Sequence, residues 1–320
     1  MKTVSFNSLG RTGRLGNQMF QFSALLCIAK INGFQFMLPN PLDIEGDYSL
    51  LFETFKLRSV DKNNFGISTF DTFYPDRNDG INFSEQYFKL CKNTNIEGYF
   101  QSLKYLQEID SEVKSNFEFS DDIVVQLNTI LKRNELNLQN FSFIHVRRGD
   151  YINKKEYHFN LDKSYYKKSI NKFSKNEKFI VFTDDVNWSK NNLDLKNREI
   201  LYFDDFYSNE SKVNKSGIEL CAMTYCKSGI ISNSTFSWWG AYLQKNNGTI
   251  VCPNSSSWFG YKYFFKPKDL LREQWIKVNP NIFSLFILKL KRFGNFIKII
   301  FLKIINLFKR YIIKVLKTQT

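Results

Sequence analysis

The sequence has few of the residues that bind metals or form disulfides. Its 320 residues include two histidines and five cysteines, and no two cysteines form a Cys-x-x-Cys pair. An odd number of cysteines in a long chain argues against a disulfide framework, and neither histidine is spaced with the cysteines as zinc ligands are. No Asp-x-Asp triplet occurs either. We therefore expect no metal site and a reducing, cytoplasmic environment.

Long apolar runs are also missing. Residues 1–7 lack the apolar core of about 7–15 residues that a signal peptide contains. In residues 282–316 the longest uncharged run is far below the roughly 18–20 residues that a spanning helix needs. The sequence thus predicts neither a signal peptide nor a membrane-spanning segment.

Acidic residues are absent from the C-terminal tail, residues 280–320. The tail has nine Lys or Arg and no Asp or Glu, which leaves 36 bases and 31 acids for residues 1–279. Most of the net charge of +14 therefore lies in the tail. A nucleic-acid-binding protein would instead carry its charge on a recognised binding module, and none is found. We expect no nucleic-acid partner.

The tail has the pattern of a helix that lies on a membrane. At about 100° per residue its bases occupy about half of the helical wheel, and apolar residues such as Phe293, Ile297 and Phe301 occupy the other half. A basic face beside an apolar face suits an anionic bilayer. The alternative is a helix packed on the protein's own core or on a second subunit, although such helices usually mix acids into their polar face. We expect peripheral attachment of residues 280–320 to the inner face of the cytoplasmic membrane.

The first 279 residues alternate apolar strands with helices. With 43% hydrophobic and 17% aromatic residues, the chain can form two domains of ordinary size. The polar residues 134–140 predict a boundary between an N-terminal domain, residues 1–140, and a second domain, residues 141–279. Strand–helix alternation predicts an α/β fold with helices on both faces of a parallel sheet and a ligand site at its loops. Predicted strands span residues 3–6, 141–146, 179–183, 200–203, 229–232 and 249–252, and predicted helices span residues 101–109, 121–134, 164–173, 215–226 and 238–245.

The most informative segment is residues 145–150, which read His-Val-Arg-Arg-Gly-Asp at the end of a predicted strand. Arginine has a planar fork of donors that matches phosphate oxygens, and Gly149 lets the backbone approach a ligand closely. Asp150 can orient an arginine or accept a proton. The segment therefore predicts an anionic, phosphate-bearing ligand held by Arg147 and Arg148. The alternative is a strand end with a surface Arg–Asp pair.

Three other polar loops lie beside predicted strands. They are Gly13-Arg14-Leu15-Gly16-Asn17-Gln18-Met19, Phe182-Thr183-Asp184-Asp185, and Asn233-Ser234-Thr235-Phe236-Ser237-Trp238-Trp239-Gly240-Ala241. Taken in order with the arginine segment, they resemble the motifs of bacterial-type α-1,2-fucosyltransferases, glycosyltransferase family 11. The resemblance covers about residues 3–279. It departs at Arg14, where the family usually has glycine, and at Thr183 and Thr235, where the family has serine.

The resemblance implies a fold and an activity. The fold is two Rossmann-like domains of the GT-B type, with the nucleotide held mainly by the second. The activity is inverting transfer of L-fucose from GDP-β-L-fucose to the 2-hydroxyl of a galactose-type acceptor, without a cofactor or a required metal. Such a reaction suits surface-glycan or O-antigen synthesis, and a membrane-bound tail suits a lipid-linked acceptor. Two alternatives remain: a GDP-fucose-dependent transferase of another linkage or acceptor, and a non-catalytic membrane-bound carbohydrate-binding protein.

The resemblance also assigns roles in catalysis. Charge that builds on the departing diphosphate would be stabilised by Arg147, Arg148 and the hydroxyl-rich turn at residues 234–237. The base that takes the acceptor proton would be Asp150 or His158, although Asp150 could equally hold an arginine in place.

Donor binding is assigned to the remaining loop residues. Asp184 or Asp185 would accept hydrogen bonds from the guanine edge, the alternative being a helix cap. The predicted donor-binding set is Gly16, Asn17, Gln18, His145, Arg147, Arg148, Gly149, Asp184, Asp185, Ser234, Thr235, Phe236 and Ser237. For Asn17 and Gln18 the alternative is also helix capping, and for His145 a strand-end position satisfied by the backbone. Trp238 and Trp239 are predicted to belong to the core rather than to a sugar-stacking platform.

Overall fold

The structure is a computed structural model, and it describes residues 1–43, 49–74, 80–193, 198–207, 213–263 and 265–317. The N-terminal half contains a parallel sheet of four short strands in the order β2-β1-β4-β3. These strands are β1 (Thr3–Ser5), β2 (Gln35–Met37), β3 (Thr72–Phe73) and β4 (Thr94–Ile96).

A second parallel sheet contains six strands in the order β10-β9-β8-β5-β6-β7. They are β5 (Phe141–Val146), β6 (Lys178–Thr183), β7 (Ile200–Tyr202), β8 (Ser228–Ile230), β9 (Ile250–Pro253) and β10 (Ile276–Val278). Counted within this sheet, the order is the 3-2-1-4-5-6 of doubly wound folds, and it reverses direction between β5 and β8. In such sheets ligands bind at this switch point, outside the carboxyl ends of the strands.

Helices separate most of the strands, as the alternating pattern predicts. They are α1 (Leu15–Asn32), α2 (Ser49–Thr54), α3 (Lys104–Gln107), α4 (Asp110–Asn116), α5 (Asp121–Arg133), α6 (Lys163–Ile170), α7 (Val186–Asn192), α8 (Lys215–Tyr225), α9 (Thr235–Tyr242) and α10 (Ile282–Lys317). The predicted class, α/β with two parallel sheets and a C-terminal helix, is confirmed.

Several element boundaries differ from the prediction. Helix α9 begins at Thr235 rather than at residue 238, so the hydroxyl-rich turn forms its first turn. The helix predicted over residues 101–109 is instead the short helix α3, and α4 follows it directly from Asp110. Helix α7 and strand β10 were not predicted, because short polar or charged elements carry little periodic signal.

Helix α1 connects the two halves of the molecule. Fourteen of its 18 residues are buried, as expected for a helix that is apolar on all sides. Phe20 packs against both Trp238 and Trp239, and the Trp239 Nε1 donates a hydrogen bond of 3.0 Å to the Gly16 carbonyl. Both tryptophans are fully buried, which confirms their prediction as core residues. The larger hydrophobic core thus contains residues from both sides of the boundary predicted after residue 140, and that division stays a proposal.

The tail forms one long helix, α10, with two different environments. Near its start Leu288 is only 5% exposed and packs with Leu285 against the core of the second sheet. Further along, Ile297 and Phe301 are 51% and 63% exposed. The first part of the tail therefore packs on the protein, which was the alternative to membrane attachment. The part that follows has an exposed apolar face.

Side chains of α10 are described as far as Asn306, and residues 318–320 of the predicted tail lie outside the described residues. Among the residues that the structure does describe, no helix is long and apolar enough to span a membrane.

Candidate active site

A cavity of about 1000 Å³ lies at the carboxyl ends of the second sheet, facing the start of α1. This volume is at the upper end of the range of ligand pockets. The loops after β5, β6 and β8 line it from one half of the molecule, and Gly16, Asn17, Tyr99 and Gln101 line it from the other. The four polar loops singled out in the sequence therefore meet at the switch point.

Arg147 is fixed in the wall of this cavity. Its side chain is 17% exposed, and its guanidinium forms ion pairs with Asp150 at 2.5 Å and with Asp184 at 2.8 Å. It also lies 5.4 Å from the centre of the Tyr151 ring. Two carboxylates that hold one arginine pre-orient its fork, so little reorganisation is needed to bind an oxyanion.

Arg148 points elsewhere. Its Nε pairs with the Asp185 carboxylate at 3.2 Å, and its guanidinium stacks over the Trp188 ring at 4.1 Å. It is not among the residues that line the cavity. The structure thus brings only the first of the two predicted arginines to the cavity, and the ion pair with Asp185 and the contact with Trp188 hold the second elsewhere.

The two carboxylates after β6 have different surroundings. Asp184 lines the cavity; one of its oxygens accepts a hydrogen bond from the Arg148 backbone N–H at 2.7 Å, and the other forms the ion pair with Arg147. Gly149 leaves room for this approach, since a Cβ there would lie 2.6 Å from an Asp184 oxygen. Asp185 caps helix α7 by accepting a 2.9 Å hydrogen bond from the Trp188 N–H. Asp185 is therefore a helix cap, which was the alternative to guanine binding.

The two candidate bases, Asp150 and His158, both line the cavity. Partial burial alone would raise the pKa of Asp150, but the nearby positive charges of Arg147, Arg14 and Lys154 leave it below its ordinary value. Burial lowers the pKa of His158 to about 4, although Asp150 opposes the shift. The His158 ring is therefore neutral at pH 7 and stacks on Tyr151 at 3.7 Å.

His145 lies at the end of β5 beside the cavity. Burial, and then the charge of Arg147, lower its pKa to about 3, so its ring is neutral. Its Nδ1 forms a 2.8 Å hydrogen bond with the Ser232 hydroxyl. The alternative role for His145 was a strand-end residue whose ring is hydrogen-bonded to the backbone. The partner of this ring nitrogen is instead a side chain.

The starts of α1 and α9 meet across the cavity. A Cβ on Gly16 would lie 2.5 Å from the Phe236 backbone nitrogen, so only glycine permits this approach. The Asn17 Oδ1 accepts hydrogen bonds of 3.0 Å from Thr235 and from Gln101. No hydroxyl caps the start of α9, and the N–H groups of its first turn have no intrahelical acceptor.

Some predicted donor-binding residues do not reach the cavity. Gln18 and Ser237 are fully buried within α1 and α9 and do not line it. Gly16, Asn17, Ser234, Thr235 and Phe236 do line it. Gln18 and Ser237 therefore contribute to the packing behind the site.

Sequence reasoning missed four charged residues of the cavity, Arg14, Lys154, Lys215 and Glu219. Glu219 is nearly buried on α8, and burial raises its pKa to about 7 although Lys215 opposes the shift. Its carboxylate lies 3.7 Å from the Lys215 ammonium. Arg14 has an extended backbone, with φ of −93°, which explains why a residue other than glycine fits there. A single acid within a helix gives no local sequence signal of this role.

The fold and the cavity together define an α/β protein with a large cavity at the switch point of a doubly wound sheet, the position where such sheets bind ligands. The family model of glycosyl transferase family 11 matches residues 2–279, and the chain belongs to this family.

Three known proteins illustrate the similarity. The chain is 31% identical over 188 residues to the O-antigen biosynthesis glycosyltransferase WbnK of Escherichia coli, an alignment that spans 56% of this chain and 59% of WbnK. It is 20% identical over 295 residues to the galactoside 2-alpha-L-fucosyltransferase SEC1 of Bos taurus, over 86% of this chain and 74% of SEC1. Among solved structures, the fucosyltransferase NodZ from Bradyrhizobium has 14% identity and a TM-score of 0.48, over 75% of this chain and 91% of NodZ.

Proposed function

We propose that this chain transfers L-fucose from GDP-β-L-fucose to the 2-hydroxyl of a galactose-type acceptor, with inversion, during assembly of a surface glycan such as O-antigen. Membership of family 11 supports the proposal, as do relatives named for O-antigen biosynthesis and for galactoside 2-α-fucosyl transfer. The observation that carries it is the cation Arg147, held by two carboxylates in a cavity at the switch point.

The leaving group is the GDP diphosphate. As the bond between the fucose C1 and the β-phosphate oxygen breaks, the electron pair passes to that oxygen. The Arg147 fork and the N–H groups that open α9 are the preorganised donors for the charge. In this assignment Arg148 acts indirectly, because its backbone N–H anchors Asp184, which in turn orients Arg147.

The acceptor 2-hydroxyl oxygen forms the new bond to C1 and gives its proton to a base. Asp150 and His158 are the two candidates, since both line the cavity. The ion pair of 2.5 Å between Asp150 and Arg147 favours an orienting role for Asp150. His158 has a neutral ring that can accept a proton.

Guanine recognition needs a carboxylate with oxygens free to accept from the N1–H and the 2-amino group. One oxygen of Asp184 already accepts a hydrogen bond from the Arg148 backbone N–H, and the other forms an ion pair with Arg147. Asp185 caps α7 and pairs with Arg148. Glu219 also lines the cavity, and its ion-pair partner Lys215 is 3.7 Å away. The other two acids of the cavity, Asp150 and Asp184, lie closer to theirs, at 2.5 and 2.8 Å. We therefore assign the guanine edge to Glu219, with His145 beside it.

One assay separates the proposal from its alternatives. Purified protein is incubated with GDP-fucose alone and with a panel of galactosides and other glycosides, and GDP release is followed. We expect release that depends on a galactoside. A carbohydrate-binding protein without activity would bind the glycoside and release no GDP in either case.

The second part of the proposal concerns α10, which we infer attaches the enzyme to the inner face of the cytoplasmic membrane. The exposed side chains of Ile297, Ile300 and Phe301 form an apolar surface on a helix whose segment has bases and no acids. Each base near an anionic surface contributes about 1 kcal/mol, and the buried apolar side chains add to this. Attachment would bring the cavity close to a lipid-linked acceptor.

Flotation with liposomes tests the attachment. We expect the full-length protein to float with anionic vesicles at low salt and to detach as salt screens the charges. Lys298→Glu with Lys303→Glu should weaken binding at least about tenfold. Lys62→Glu with Lys89→Glu, which reverses two exposed lysines of the N-terminal half, is the matched control. Equal flotation of both double variants would contradict the assignment.

A further inference from the structure

One side of the cavity is built from two paired chain segments, which we call the aromatic wall. Residues 154–158 run antiparallel to residues 258–263: His158 pairs with Phe259, the Gly260 N–H donates to the Tyr157 carbonyl at 2.8 Å, and the Lys262 N–H donates to the Glu156 carbonyl at 2.7 Å. The ring-bearing residues of the wall that line the cavity are Tyr157, His158, Trp258, Phe259 and Tyr263.

Helix α10 holds this wall from behind. The Arg292 guanidinium donates hydrogen bonds to the Phe259 carbonyl at 2.8 Å and to the Gly260 carbonyl at 3.3 Å. The Lys291 ammonium lies 5.6 Å from the centre of the Tyr261 ring. Arg292 is half-buried, and burial lowers its pKa. No ion pair of Arg292 with an acid is found in the part of the chain that the structure describes, so the two carbonyls compensate its buried charge.

The wall is also attached to the loop after β8. The Asn233 Nδ2 donates to the Phe159 carbonyl at 2.7 Å and to the Trp258 carbonyl at 2.9 Å. Asn233 and Arg292 therefore hold three consecutive carbonyls of the wall, those of Trp258, Phe259 and Gly260. A planar guanidinium holds two adjacent carbonyls with donors in a fixed geometry, whereas a lysine ammonium is a point charge on a flexible stem.

The chemistry of the wall fits a neutral sugar. Trp258 and Phe259 are buried, whereas Tyr157, His158 and Tyr263 are partly exposed, and such rings offer apolar surface to the C–H groups of a pyranose. The only lysine of the wall that lines the cavity is Lys154. The phosphate-binding groups, Arg147 and the start of α9, belong to other loops. His158, a candidate base, is itself part of the wall and would face the acceptor hydroxyl.

We propose that the aromatic wall is the acceptor subsite and that Arg292 of α10 is its positioning residue. The same helix that carries the exposed apolar surface then also shapes the site that receives the acceptor. This inference rests on the proposed fucosyl transfer, because it assigns the acceptor of that reaction. It predicts that loss of Arg292 affects acceptor binding and leaves donor binding intact.

The test compares three full-length variants with the wild type. Arg292→Met keeps the apolar stem and removes the donors, and Arg292→Lys keeps the charge. Arg198→Met is the matched control, because Arg198 also donates to two adjacent carbonyls, Ser174 and Phe173, outside the cavity. The measurements are the acceptor KM, the kcat, the Kd for GDP, and the thermal unfolding midpoint, which verifies folding.

We expect Arg292→Met to raise the acceptor KM at least tenfold and to change the Kd for GDP less than twofold. Arg292→Lys should be intermediate, and Arg198→Met should keep the wild-type acceptor KM. An unchanged acceptor KM in Arg292→Met, or an equal loss of GDP affinity, would overturn the inference. Failure of the wild type to transfer fucose to any galactoside would instead refute the proposed function.

Discussion

Replacement of Arg147 by alanine is expected to cost catalysis far more than replacement of Arg148. Arg147 is 17% exposed, lines the cavity and is fixed by two carboxylates at 2.5 and 2.8 Å. Loss of one preorganised oxyanion donor typically lowers kcat by about 10²–10³, or about 2.7–4 kcal/mol. The change also leaves Asp150 and Asp184 without their shared cation beside the diphosphate. We therefore expect a loss near the upper end, about 10³.

Arg148→Ala should lower kcat by about tenfold or less, because its guanidinium binds Asp185 and Trp188 and only its backbone supports Asp184. The assay is GDP release at saturating donor and acceptor, with the Kd for GDP measured separately. Arg147→Lys should recover little, since a point charge cannot bridge two carboxylates and a phosphate. A kcat for Arg147→Ala within tenfold of the wild type, or a larger loss in Arg148→Ala, would refute the assignment.

A double-mutant cycle separates the two possible roles of Asp150. If Asp150 only orients Arg147, Asp150→Asn should cost about tenfold, and the double variant with Arg147→Ala should be no worse than Arg147→Ala alone. If Asp150 is the base, its loss should cost about 10²–10⁴ and add to the loss from Arg147. Asp150→Asn keeps the size of the side chain, so folding is a minor concern.

Three further predictions follow from the cavity. Lowering the pH from 7 to 5 should reduce the free energy of unfolding by about 2 kcal/mol through His145 alone. The reason is that the histidine of the unfolded chain, with a pKa of about 6.5, takes up a proton at pH 5, whereas the buried ring, with a pKa of about 3, does not. In urea titrations at the two pH values, His145→Asn should remove this contribution of His145 to the pH dependence. The affinity for GDP should rise as the pH increases through about 7, because Glu219 ionises in that range. Glu219→Gln should weaken GDP binding about ten- to a hundredfold and abolish this pH dependence. GDP binding that is unchanged in calorimetry would exclude Glu219 from the guanine site. EDTA should leave the rate largely intact, because Arg147 supplies the positive charge, and loss of activity that added Mg²⁺ or Mn²⁺ restores would contradict this.

Much of the fold was predictable because its strongest signals are local. Four of the six residues of the run 141–146 are apolar and all six are buried, as expected of a strand buried on both faces, and the run forms β5 over the predicted bounds Phe141–Val146. Polar loops at the ends of such strands meet at one edge of a parallel sheet, which explains why the predicted loops share one cavity.

The orientation of single side chains could not be predicted in the same way. Arg147 and Arg148 follow the end of β5, where strand alternation no longer applies, and only their tertiary contacts decide which one faces the cavity. Glu219 lies on α8, more than 60 residues from the arginine motif, and its high pKa arises from burial that no local pattern encodes. Arg292 was counted among the bases of the polar face, and only the tertiary structure places it on the aromatic wall.

The most direct test of the central claim is the structure of the product. Wild-type protein is incubated with GDP-fucose and a β-galactoside, and the purified product is analysed by NMR. We expect one fucosyl residue in α configuration on the 2-hydroxyl of the galactose, with one GDP released per product. Fucose on another hydroxyl, a β configuration, or no product from GDP-fucose with any galactoside would contradict the proposed activity.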